Sequence, residues 1–314
     1  MKNFVMPNIW AGQWDDSPGV GHEFRNWLTG YNVASYYDLT FVHSPFAGSH
    51  VVPPEKWATV GRVDVPVEKW EKFLNFGKDE LVLQDLPSGI RTVQLPKIMC
   101  HADVNNNQLA NVINANAGGD EPVLFICPFN QFLSMRWNLY RTNGFVDKYW
   151  DQRKCDLVPT PFSTDRVSVG VHIRRCDVNE QRYPDRFLSN AYYETILKHI
   201  LSLMPNVDIH IYSDAASVDE FKNLAQLPNT TFHLRTDVFE TFHSLVSSDI
   251  YVMSNGSWAI LTAHLNKGVK ITTEWNNAWN KFPADIGIVP VNRQGAFNGP
   301  NLVKQLDKVG RGSR

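Results

Sequence analysis

The segment Val169-Gly170-Val171-His172-Ile173-Arg174-Arg175-Cys176-Asp177 sets two arginines and an aspartate directly after an alternating, β-branched run. A buried strand leading straight into two guanidinium groups is a poor packing choice. It makes sense if the planar forks meet a diphosphate and neutralise its charge with bidentate geometry. The alternative is an Arg–Asp surface network, which adds little stability. A second segment, 249–258, ends a strand in Ser254-Asn255-Gly256-Ser257 and begins a helix at once. Its small residues expose backbone N–H groups at the positive helix end, a natural phosphate cradle. N-capping by Ser254, Asn255 or Ser257 explains one such residue, not four together. In a third segment, 237–243, the acids serve the helix dipole, or the Glu240 carboxylate accepts hydrogen bonds from the ring N–H and exocyclic amine of guanine. Ser213-Asp214 either lines the same pocket or caps the helix after it.

These segments need strand ends to hold them together. Period-2 runs predict strands over 167–173, 207–212, 230–234, 249–253 and 268–272. Helical periods predict helices over 190–204, 218–227, 238–246 and 257–265. Strict alternation with short connections implies a parallel sheet covered on both faces, with ligands beyond the carboxyl ends of its strands. The first half is α/β but less regular. Helices are expected over 21–37, 65–76 and 105–115, and strands over 39–43, 81–84, 92–95 and 122–126. Prolines 159 and 161 mark 155–165 as the interdomain linker, dividing the chain into domains 1–158 and 159–314.

The 314 residues suffice for two domains, and 43% hydrophobic with 20% charged residues describes a folded protein. A formal charge of -2 gives no reason to expect nucleic acid as a partner. The four cysteines (Cys100, Cys127, Cys155, Cys176) show no CxxC spacing, so neither a zinc site nor a disulfide framework is expected. Cys127 reads as a buried free thiol. No apolar run is long enough to span a membrane or to form a signal h-region. The expected setting is the cytoplasm, or a secretory compartment if a targeting segment precedes this chain. A nicotinamide enzyme is disfavoured because Gly19-Val20-Gly21 lacks the third glycine and follows no convincing strand. A P-loop NTPase is excluded because no GxxxxGK[ST] exists.

The HxRRxD run, the Tyr-Ser-Asp strand end, and the stretch from Glu240 through Ser254-Asn255-Gly256-Ser257-Trp258 to Asn266 resemble the fucosyltransferase superfamily. That group holds the α1,2-, α1,6- and protein O-fucosyltransferases. The likeness covers roughly 165–275 and touches Gly19-Val20-Gly21-His22-Glu23-Phe24-Arg25-Asn26, similar to the group's Gly-rich opening loop. The resemblance implies a GT-B-like α/β fold, two Rossmann-like domains facing each other across a cleft. It also implies an inverting reaction, GDP-fucose as donor, a glycan acceptor and no metal requirement. His172 would contact the nucleotide and Arg174 the β-phosphate. Arg175 would support that anion or the loop around it, Glu240 would take the guanine-binding acidic position, and Ser254 to Ser257 would hold the phosphates. The family usually has Asp where Glu240 stands and Thr or Gly where Cys176 stands. A xylosyl or rhamnosyl donor, or a non-catalytic nucleotide-sugar or glycan-binding module, therefore stays open.

Cleavage of a sugar–diphosphate bond puts negative charge on the leaving phosphate. Many transferases answer it with a metal on a DxD segment, and no DxD occurs here. Arg174 is the expected substitute, by electrostatic stabilisation that strengthens in the transition state. The acceptor hydroxyl must lose a proton, and Glu23 and His22 at a helix start are the candidate bases. Glu23 is equally an ordinary first-turn acid. Asp177 is read as orienting an arginine.

Overall fold

The computed structural model describes residues 2–8, 20–46, 50–51, 63–97, 107–128, 144–151, 159–273, 287–297 and 301–311. They form two compact units, one holding the described residues through 151 and the other those from 159 onward.

In the first unit the elements run β1 (Phe4–Pro7), α1 (Val20–Tyr36), β2 (Thr40–His43), β3 (His50–Val51), β4 (Val63–Asp64), α2 (Val67–Leu74), β5 (Leu81–Val82), β6 (Arg91–Gln94), α3 (Gln108–Ala117), β7 (Val123–Cys127) and α4 (Gly144–Trp150). Five strands make a parallel sheet in the order β5-β2-β1-β7-β6, and β3 and β4 form a small antiparallel pair. The central strand β1 corrects the expectation that nothing convincing precedes the Gly-rich segment. Four residues ending in Pro7 are too short to show a period. Both neighbours supply the ladder, with Phe4 opposite Thr40 on one side and Leu124 on the other. Cys127 is the buried free thiol expected, and burial pushes its pKa up to about 12.

The second unit runs β8 (Ser168–Ile173), α5 (Asn190–Leu203), β9 (Asp208–Ser213), β10 (Thr230–Leu234), α6 (Val238–Ser247), β11 (Ile250–Val252), α7 (Ser257–Leu265), β12 (Val269–Thr273), β13 (Ile288–Val291) and α8 (Asn301–Arg311). All six strands are parallel, in the order β10-β9-β8-β11-β12-β13. One face is aliphatic. Val169, Val171, Ile173, Ile209, Ile211, Ile250 and Val252 pack with Tyr193, Ile196 and Ile200 of α5 and with Leu302 and Leu306 of α8. On the other face Tyr212 and Tyr251 meet Leu245 of α6 and Ala259, Ile260 and Ala263 of α7. Gly170 permits that second layer, since a Cβ there would lie 2.8 Å from Ser248 Oγ at the end of α6.

The helix expected over 218–227 is instead two 3₁₀ turns, Val218–Phe221 and Leu224–Gln226. Glu220 folds back onto the amides of Ala216 and Ser217, and Ser217 Oγ accepts from Asp219 N. With Phe221 and Leu224 already buried, three residues apart, nothing is gained by a longer helix. The two units are the pair of Rossmann-like α/β domains that the resemblance implied.

Candidate active site

Counted within the second unit, the strand order is third, second, first, fourth, fifth, sixth. The direction of winding reverses between β8 and β11, and ligands of open parallel sheets bind outside the carboxyl ends at such a point. The loops leaving those two strands are the HxRRxD segment and the Ser-Asn-Gly-Ser turn. Topology therefore brings together two motifs 80 residues apart.

Arg174 follows the last residue of β8. Its Nε donates to Asp177 Oδ1 at 2.6 Å, and Nη2 donates to Asp177 Oδ2. That fork fixes the guanidinium plane. Burial opposes the charge on Arg174, but the Asp177 carboxylate outweighs it and raises the guanidinium pKa. Burial likewise works to raise the pKa of Asp177, and Arg174 turns the net shift downward. The remaining edge, Nη1, lies 3.3 Å from the position a Cβ would take on Gly256. Among the described residues Nη1 has no hydrogen-bond partner.

Gly256 is the N-cap of α7 with φ +153°, a conformation that favours glycine, and no side chain caps the helix. Ile260 N reaches back to Gly256 O, while the N–H groups of Ser257, Trp258 and Ala259 precede the first intrahelical bond. An open helix start and the free edge of a clamped arginine thus share one spot. Ser254 Oγ lies 2.7 Å from His172 Nδ1, and the His172 ring packs on Trp258 at 4.6 Å. Burial, aided by the positive charge of Arg174, lowers the His172 pKa to about 3, so the imidazole is neutral at physiological pH.

Two residues of the expected phosphate set point elsewhere. Asn255, 1% exposed, accepts from Thr273 Oγ1 at 2.8 Å and donates to Asp185 O at 3.3 Å. It braces the turn from inside rather than offering itself to a ligand. Arg175 turns away from Arg174's free edge. Its Nη1 donates to Arg174 O at 2.9 Å and its Nη2 to Asn190 Oδ1 at 2.6 Å, with Cζ within 5.0 to 5.9 Å of the Phe187, Tyr193 and Phe221 rings. Of the two roles considered for it, this geometry suits the loop and not the anion. Burial lowers its pKa. Asp214 caps no helix, since Ser217 caps the turn that follows. Its carboxylate accepts from Arg175 N at 2.6 Å and Cys176 N at 3.1 Å, gripping the loop from β9. Burial raises its pKa against those two amide donors.

Among solved structures, POFUT1 in complex with GDP superposes with a TM-score of 0.47 at 12% identity, covering 86% of this chain and 98% of that one. POFUT1 in complex with GDP-fucose gives 0.45 at 11%, covering 85% and 95%. The E. coli heptosyltransferase WaaC with ADP-2-deoxy-2-fluoro heptose gives 0.40 at 10%, covering 99% and 100%. No family model and no curated protein sequence matches the chain. Likeness at this level says nothing of donor or acceptor.

The other expected residues are placed as follows. Asp237 Oδ1 caps α6 by accepting from Phe239 N and Glu240 N, which leaves the exposed Glu240 side chain outside the cap. Ser213 Oγ accepts from Ala215 N at 3.1 Å, a local turn contact. In the first unit Glu23 is 2% exposed on the first turn of α1, two residues after the buried Gly21. Asn26 of the same helix donates to Asn8 O at the carboxyl end of β1. Only the backbone of His22 is described, and Gly19, Cys100 and Cys155 lie outside the described residues. Among the described residues no group of three or more His, Cys, Asp or Glu is placed to hold a metal ion. No described helix is long and apolar enough to cross a membrane.

Sequence reasoning missed the segment 178–188 beside this site. Val178 and Leu188 are buried at its two ends, Asn255 holds Asp185 O, and Arg293 Nη2 holds Pro184 O at 2.6 Å and Phe187 O at 3.2 Å. No local period or motif marks it, because its anchors come from distant strands.

Proposed function

We propose that the chain is an inverting glycosyltransferase whose second unit holds a nucleotide-sugar diphosphate, with GDP-fucose as donor and a glycan hydroxyl as acceptor. The observation that carries this reading is the coincidence of Arg174 Nη1 with the uncapped start of α7. A diphosphate seated there meets a charged donor and a row of amide donors that need no rearrangement. As the acceptor oxygen bonds to the anomeric carbon, the bond to the β-phosphate oxygen breaks and its electron pair stays with the nucleotide. Arg174 gains interaction energy as that charge grows, the condition for accelerating the step. Asp177 keeps the fork aimed, and Asp214 keeps the loop amides in place. Neutral His172 keeps positive charge out of the adjacent nucleotide subsite and offers a ring nitrogen to the nucleotide. Glu240, exposed on the first turn of α6, is assigned the guanine edge. The acceptor proton goes to a group of the first unit, for which Glu23 and His22 are assigned, and the charge of Arg174 takes the place of a metal.

Thermal-shift titration with GDP, UDP and ADP tests the donor. GDP should raise the melting temperature most, by mass action on the native state. A larger shift with UDP or ADP overturns the donor assignment, and no shift with any of the three overturns the whole reading. Turnover of GDP-fucose should persist in EDTA. Full turnover by Glu23→Gln would return the proton-accepting role to another group.

A further inference from the structure

The segment 178–188 carries an exposed trio. The guanidinium carbons of Arg182 and Arg186 lie 5.4 and 5.3 Å from the centroid of the Tyr183 ring. Tyr183 itself is 37% exposed. Among the described residues neither guanidinium makes an ion pair or a hydrogen bond, although Asp185 and Glu180 belong to the same segment. The backbone is ordered turn by turn. Asn179 Oδ1 accepts from Gln181 N and Arg182 N, Tyr183 N donates to Asn179 O, and Tyr183 O accepts from Arg186 N and Phe187 N. Contacts from Asn255 and Arg293 tie the segment to β11's turn and to the loop after β13. The trio borders the Arg174 site, because Asp185 O between Tyr183 and Arg186 is held by Asn255 of the turn that starts α7.

Two exposed guanidinium groups near one ring, neither engaged by an acid of the described residues at hydrogen-bond distance, present a local positive field to solvent. The aromatic ring limits where the two forks stand. Because the backbone is already ordered, an incoming anion loses little conformational entropy in the protein on binding. A sulfate, phosphate or carboxylate matches the fork geometry that arginine presents.

We propose that Arg182, Tyr183 and Arg186 form an anion-recognising platform for the acceptor, so that the chain selects glycans bearing a sulfate, phosphate or carboxylate. This rests on reading the Arg174 site as the donor site, with the platform serving the second substrate.

Calorimetry on the full chain tests it with three probes: N-acetyllactosamine, its 6-sulfated form and its sialylated form. The anionic glycans should bind on the order of tenfold tighter than the neutral one, and the Arg182→Gln/Arg186→Gln double variant should lose that preference. GDP affinity and melting temperature should be the same in the variant as in the parent chain. Equal binding of the three glycans, or binding of none, overturns the proposal. A fall in GDP affinity in the double variant also overturns it, by assigning the arginines to the donor. Tight binding of the anionic glycans by a chain that ignores GDP would leave the platform standing and remove the donor reading instead.

Discussion

The two faces of the six-stranded sheet in the second unit are built from the same strands and do different work. Alternate residues of β8 show it: Val169, Val171 and Ile173 enter the aliphatic layer, while Ser168, Gly170 and His172 face α6 and α7. The same split recurs on β9, where Ile209 and Ile211 oppose Asp208, His210 and Tyr212. On the aliphatic face burial of hydrocarbon dominates. On the other face several side chains are held by polar partners. Thr262 Oγ1 donates to Tyr251 Oη at 2.9 Å, Ser254 meets His172, and Lys270 Nζ donates to Asn266 O and Gly268 O. Burial lowers the pKa of that lysine to about 7. One face supplies stability, and the other leads into the loops of the candidate site.

Removing the head group of Arg174 should affect activity alone. Arg174→Ala is expected to lower transfer about 100- to 1000-fold, the scale of one preorganised donor, with the melting temperature near that of the parent. A variant that unfolds, or one that retains full turnover, breaks the assignment of chemistry to the site. A cut into the aliphatic face should do the reverse. Ile209→Ala is expected to cost about 2–5 kcal/mol in chemical denaturation while leaving the GDP-induced shift in place. Equal loss of nucleotide binding in the still-folded fraction would show that the faces are not separable.

The smallest effect concerns acid. Burial holds His172 at about 3 and His264 at about 4. Burial, followed by the neighbouring His210, holds His233 at about 4. All three lie below the ordinary histidine value of 6.5. Between pH 6.5 and 4 the unfolded chain binds protons that the native chain does not, so stability falls as pH drops through that window. Urea midpoints should be lower at pH 5 than at pH 7, and His264→Gln should reduce the difference. Identical midpoints at the two pH values would remove the titrating groups from this face.

Much of the second unit is legible locally because its strands alternate and most are followed by a helical period; the exception is 218–227, which folds as two 3₁₀ turns. The first unit is less so: β1 has four residues and a terminal proline, and only its position between β2 and β7 makes it a strand. The candidate site divides in the same way. Arg174, Asp177 and Gly256 stand out as residue types in unlikely places. Asn255 carries the same polar signal, yet Thr273, 18 positions later, draws it inward.

What the sequence determined by itself was composition by period. It set which residues share a face, where strands end, and that arginines and small residues stand at those ends. Direction was decided by the tertiary structure. Two adjacent arginines are equivalent along the chain, but the ring cluster of Phe187, Tyr193 and Phe221 with Asn190 captures Arg175. Asp177 leaves Arg174 with one edge toward the helix start. A side chain's orientation is set by the partners it can reach, and in a parallel sheet those partners are supplied by strands and helices far along the chain.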